Sequence, residues 1–119
     1  MSLESLIPVS EEAILSMVLY PKQALGRNIE IHTKQSGFPE IQGCKIAIIG
    51  LEETRNAFFP VVGYQLDDFR KSFYQLFPGN WNFKICDLGN LPNGETPEDT
   101  YFALKEICHY LKQINVVTI

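Results

Sequence analysis

Residues 45–50 read Lys45-Ile46-Ala47-Ile48-Ile49-Gly50, a short, β-branched and almost wholly apolar run flanked by Gly43 and Gly50. A strand with one wet face alternates apolar and polar residues, whereas an uninterrupted apolar run of this length fits a strand covered on both faces. Such a strand belongs in the interior of a parallel sheet that carries helices, which confines the chain to the α/β class.

The flanking segments extend that reading. Leu66, Phe69, Phe73 and Leu76 recur at helical spacing and predict a helix of about three turns over residues 67–77, stopped by Pro78-Gly79-Asn80. Residues 81–88 alternate large apolar and polar side chains, as expected of a strand paired beside the first, nearer the sheet edge and partly wet on one face. Turn residues follow over 90–95. Thr96 then caps a helix that has Pro97 in its first position and Glu98 and Asp99 in its first turn. Tyr101, Leu104, Cys108 and Leu111 form that helix's buried stripe, widened by Phe102 and Ile107, and residues 115–119 read as a final buried strand.

Ahead of these, Ser10 caps a helix that ends before Pro21. Residues 22–43 are an irregular approach with one short extended piece at 29–31. The alternation predicts right-handed crossovers and a three-layer α/β/α fold with a mostly parallel sheet, truncated after its third core strand. Residues 1–44 form the leading helix and approach segment, and residues 45–119 the α/β domain proper.

Composition narrows the functional classes. A chain of 119 residues with 45% hydrophobic residues buries a real core without a disulfide or metal. A net charge of -4 and no Lys/Arg cluster argue against nucleic acid as a partner. Cys44, Cys86 and Cys108 lack a C-x-x-C spacing and read as buried small hydrophobes in a reducing compartment. His32 and His109 show no metal-ligand spacing and read as structural or solvated. No apolar stretch approaches the ~20 residues that span a bilayer, and no secretory signal opens the chain, so no membrane partner and a cytoplasmic location are expected.

In open α/β sheets ligands bind beyond the carboxyl ends of the strands. The loop after the first core strand, residues 51–56, therefore holds the candidate substrate contacts Arg55 and Asn56, with Glu53 in support. Gly50 is followed by no second or third glycine, which excludes a dinucleotide fingerprint or a phosphate-cradling loop. Asp87 lies near the end of the second strand and is expected to stabilise a turn there. The apolar stretch 58–62 fits burial against a partner or another segment. A receiver-like or flavodoxin-like domain would want a phosphate loop or an acceptor aspartate beside Glu52 and Glu53.

Three segments together carry a family likeness. Residues 45–57, 83–90 and 98–106 resemble, in order and spacing, the amino-terminal part of the ureohydrolases, the arginase, agmatinase and formimidoylglutamase group, closest to bacterial formimidoylglutamase-like and arginase-family members. The resemblance implies hydrolysis of a guanidino or formimino C–N bond by a hydroxide bridging two manganese ions, a small amidine or guanidino substrate, and oligomerisation. It also implies that the metal ligands, in a Gly-Gly-His segment and an Asp-Ala-His-x-Asp segment, follow Ile119, so residues 1–119 alone hold no Mn2+ and are not catalytic. The loop departs from the family pattern, because Asn56 leads into Ala57-Phe58-Phe59-Pro60 instead of a Gly-Arg-x-Gly-Ala stretch. The alternative expectation is a stand-alone or degenerate α/β binding or scaffold domain.

Overall fold

The computed structural model describes residues 3–55, 66–80 and 83–119. Four strands, β1 (Glu30–Ile31), β2 (Cys44–Leu51), β3 (Lys84–Leu91) and β4 (Val117–Thr118), form one sheet in the order β1-β3-β2-β4. Every pairing is parallel, with Ala47 opposite Cys86, Ile48 opposite Asp87 and Gly50 opposite Asn90 across the central pair. The helices are α1 (Glu11–Ser16), α2 (Leu66–Tyr74) and α3 (Pro97–Gln113), so the chain is a small α/β fold.

Local chemistry sets the helix starts. The Ser10 hydroxyl accepts from the Ala13 amide at 3.2 Å, with Glu11 and Glu12 in the positive first turn of α1. At α3 the Thr96 hydroxyl accepts from the Asp99 amide while the Asp99 carboxylate accepts from the Thr96 amide, a reciprocal box closed by Pro97 in the first turn. Residues 17–19 continue α1 as a 3-10 turn up to Tyr20 and Pro21.

Two apolar clusters share the sheet. Ala47, Cys86 and Leu88 pack with Ile107 and Leu111 of α3 and with Leu3 and Leu6 of the amino-terminal segment. Ile48 and Ile85 pack with Leu25 and Phe73. Each fully covered Leu or Ile side chain stabilises the fold by about 1.5–3 kcal/mol.

Four sequence expectations change. The strand expected nearer an edge with a wet face is instead central, flanked by β1 and β2, and every residue from Ile85 to Leu91 is buried. The expected start of that strand, Trp81 and Asn82, lies outside the described residues. The buried row of α2 is Leu66, Arg70 and Tyr74, while Phe69 is 55% exposed. On α3 the buried residues are Thr100, Ile107 and Leu111, with Tyr101 and Phe102 facing solvent. The last strand is an edge beside β2, where Val116 is buried but Val117 is 62% exposed. The short extended piece at 29–31 is β1, the other edge.

Candidate functional site

The carboxyl ends of β2 and β3 lie side by side, and two polar clusters occupy them. The first is buried. Arg70, 1% exposed, reaches from α2 to Asp87 in the interior of β3 and binds it with both teeth of its fork, Nε to Oδ2 and Nη2 to Oδ1, each at 2.8 Å. Its Nη2 also donates to the Gly89 carbonyl at 3.0 Å, and its Nη1 to Asn90 Oδ1 at 2.5 Å. Tyr74 donates its hydroxyl to Asp87 Oδ2, and the Gly89 amide donates to Asp87 Oδ1. The carboxylate is thus surrounded by donors and the guanidinium by acceptors, the condition under which a buried ion pair is tolerated.

Electrostatics follow from that geometry. Burial works against the Arg70 charge, but the hydrogen bonds and charge of Asp87 outweigh it and hold the guanidinium above its ordinary value. Burial, reinforced by the adjacent Asp87 charge, pushes the Tyr74 phenol far above the usual tyrosine range. A phenol whose folded-state pKa is raised contributes stability below the unfolded value near 10, and that contribution disappears as pH rises beyond it. In an alkaline titration followed at the phenolate absorbance, Tyr74 is therefore expected to ionise only with unfolding, and Tyr74→Phe to remove that late phase. Ionisation of Tyr74 in step with exposed tyrosines, on a chain still folded, would contradict the geometry.

Gly50 makes room for this cluster. A side chain there would strike Asn90 Oδ1 and meet Leu66 Cδ1 at 2.9 Å and Arg70 Nη1 at 3.1 Å. Gly50 belongs to the glycine-bounded motif, and what it accommodates is the close approach of a neighbouring strand's side chain.

The second cluster lies at the rim. Arg55 folds back on Glu53, with Nε to Oε2 at 2.8 Å, Nη2 to Oε1 at 2.6 Å and its own amide to Oε2 at 2.9 Å. Nη1 and Nη2 also donate to the carbonyls of Glu95 and Gly94, and the Thr100 hydroxyl donates to Glu53 Oε1 at 2.8 Å. The loop after β2 is thereby tied to the loop after β3 and to the first turns of α3. Glu53 keeps no exposed side-chain surface. Hydrogen bonding from the Arg55 side chain, outweighing desolvation and aided by the Arg55 amide and Thr100, draws its pKa from 4.5 to about 2. A depressed carboxylate stabilises the fold above its unfolded pKa, and that stability is lost as pH falls toward the folded value. The stability difference between wild type and Glu53→Gln should thus be present at neutral pH and shrink as pH falls from 4.5 to about 2. A difference constant across that interval in urea titrations would count against the clamp.

Of the substrate contacts expected from sequence, Glu53 and Arg55 are brought together, each engaged with the other, and Asn56 lies outside the described residues. The apolar stretch 58–62 also lies outside them. Asp87 bonds the amide two residues on, as a turn aspartate would, but it sits inside a strand and its main partner is Arg70. Arg70, Tyr74 and Asn90 are the residues that sequence reasoning misses.

The cysteines and histidines take structural places. Cys44 and Cys86 are buried and all three thiols are free; burial, then the neighbouring Cys44 thiol, pushes Cys86 up to about 12. Native-state thiol titration is expected to modify half-buried Cys108 ahead of Cys86. His32 is buried, bonded through Nδ1 to the Leu88 carbonyl at 3.0 Å and stacked on Phe38, whereas His109 is exposed beside Gln113.

Among the described residues no group of three or more His, Cys, Asp or Glu side chains is arranged to hold a metal ion. No helix among them is long and apolar enough to cross a membrane. Fold and site together define a small α/β domain with an all-parallel sheet and a carboxyl edge cross-linked by side-chain hydrogen bonds. No family model matches the chain, and comparisons with curated proteins and with solved structures likewise return no match.

Proposed function

We propose that these residues are the amino-terminal part of a ureohydrolase-like, manganese-dependent hydrolase of linear amidine or guanidino C–N bonds, acting in the cytoplasm on a small-molecule substrate. The observation that carries the reading is the arrangement of the described parts of the three family-like segments: residues 45–51 and 84–90 supply the adjacent central strands, 98–106 lie in the helix that follows, and Glu53, Arg55 and Asn90 lie at the carboxyl ends of those strands. The separate packing of Phe73 and of Ile107 with Leu111 supports the three-layer arrangement that the family likeness implies.

In this reading a bound metal supplies an activated water, from ligands in the Gly-Gly-His and Asp-Ala-His-x-Asp segments implied after Ile119. The residues in hand brace the edge. Arg70 and Tyr74 fix the end of β3 through Asp87, and Arg55 and Glu53 fix the loop after β2 against α3. Expressed from its natural reading frame, the protein should release urea from arginine or agmatine, or formamide from N-formimino-L-glutamate, only with Mn2+. Absence of product from all three, with the fold intact by circular dichroism, overturns the reading.

One observation favours a second reading, a binding or scaffold domain without catalysis: every nitrogen of the Arg55 guanidinium donates to protein acceptors. A reading frame lacking both metal-binding segments would support it. Either protein could self-associate through the β4 edge, where Val117 and Ile119 are exposed. Light scattering that stays monomeric over a wide concentration range would exclude that contact.

A further inference from the structure

On the α2 side of the sheet lies a groove of about 280 Å³, with a floor of Ile46, Ile48 and Ile85 and a wall of Phe69, Phe73 and Phe77. Every residue of its lining is apolar. The helical spacing of Phe69, Phe73, Leu76 and Phe77 puts them on one side of α2 and the residues just after it. Beyond β4, Ile119 reaches the same groove, and Val117, two residues back along the strand, projects from the same face, whereas Val116 packs with α3 on the other. Phe73 is partly buried against this half of the core, but Phe69 is 55%, Leu76 57%, Phe77 65%, Val117 62% and Ile119 70% exposed. A whole aromatic side chain buries ~150–250 Å² and an aliphatic one somewhat less, so these five leave roughly 500–600 Å² of apolar surface open. That is the upper end of the ~300–600 Å² found for the largest apolar patch of a monomer.

We propose that this face is the interface of a two-fold homodimer in which two copies pack groove to groove. A small-molecule site needs a few polar groups to orient its ligand, and no polar side chain lines the groove. A standard interface buries ~800 Å² per partner, and in homodimers ~65% of that area is apolar. The open surface of roughly 500–600 Å² supplies that apolar share. The face is also self-complementary. Exposed Phe77 stands at the edge of the groove it helps to wall, so a two-fold axis seats the ring of each copy in the groove of the other. Stacking on Phe73, with ring centroids 5.5 Å apart, fixes Phe69 on the same rim. Two copies of net charge -4 meet here without opposing or desolvating a charge in the groove. The contact differs from pairing along the β4 edge, which would use the outward backbone groups of Thr118 and leave the groove open. The inference does not rest on the hydrolase reading, since it needs neither manganese nor turnover.

Sedimentation equilibrium at neutral pH should show a monomer–dimer equilibrium that Phe77→Lys shifts to monomer. Each dimer carries the change twice, so the dissociation constant should rise roughly 100-fold or more. Phe77 belongs to neither core cluster, and the variant should keep the circular dichroism of the wild-type chain. Thr118→Pro blocks edge pairing and leaves the face intact, and it should dimerise as the wild type does. A monomer at every concentration, an equilibrium unchanged in Phe77→Lys, or one abolished by Thr118→Pro would each overturn the proposal. So would a protein expressed from its natural reading frame that stays monomeric and loses thermal stability on Phe77→Lys, since another segment of the same chain would then cover the face.

Discussion

Replacing Asp87 with alanine is expected to lower the melting temperature by roughly 10–25 °C. The substitution strips the buried Arg70 guanidinium of its two-toothed partner and Tyr74 of its acceptor. Breaking one side of a buried ion pair costs about 3–5 kcal/mol, because the remaining charge stays desolvated and unmatched. For a domain of this size each kcal/mol corresponds to several degrees. Replacing both members, Arg70→Met with Asp87→Leu, should restore only part of the loss, since no charge is left behind but the Tyr74 hydroxyl, Asn90 Oδ1 and the Gly89 backbone lose their partners. Thermal melts of the single and double variants measure this directly. A single variant as stable as wild type would mean that Arg70 reaches solvent when Asp87 is gone.

The second large effect is expected at Gly89. Its φ of 95° lies in the left-handed region, and a Cβ there would run into the Ile7 carbonyl and approach His32 Nδ1 at 3.3 Å. Ile7 and Asn90 exchange backbone hydrogen bonds at 2.8 and 2.9 Å, so the amino-terminal segment is fastened at this point to the end of β3. Gly89→Ala combines backbone strain with overpacking against main chain, roughly 2–4 kcal/mol together. Gly37 is the matched control, with a φ of 73° but nothing within 4 Å of the added carbon. Gly37→Ala should carry the backbone term alone, about 1–2 kcal/mol. Equal losses in the two variants would show that contact with Ile7 contributes nothing. Faster hydrogen exchange at the Ile7 and Asn90 amides in Gly89→Ala would locate the damage.

The elements whose signals are local are legible in the sequence. The nearly all-apolar run of β2 is found as an inner strand and the Thr96-Pro97-Glu98-Asp99 start of α3 as read, because apolar contacts on both faces of a strand and reciprocal capping leave their marks in consecutive residues. The faces of α2 and α3 are less legible. Periodicity weights Phe69 over Arg70 and Tyr101 over Thr100, yet the structure buries Arg70 and Thr100 because each finds a carboxylate, Asp87 and Glu53. The same pairing hides how far β3 runs through the interior, because Asp87 and Asn90 read in sequence as turn residues until Arg70 satisfies them. A long-range charge pair looks in sequence like two surface residues. The Glu53–Arg55 pairing, two residues apart, shows no periodic signal; one trace of it is the coincidence of both charges in the loop after a buried strand.

Manganese titration calorimetry locates the chemistry. On the proposed function, residues 1–119 bind no manganese tightly, and the protein expressed from its natural reading frame binds two ions only when the Gly-Gly-His and Asp-Ala-His-x-Asp segments are encoded. A tight two-ion site on residues 1–119 alone would contradict it.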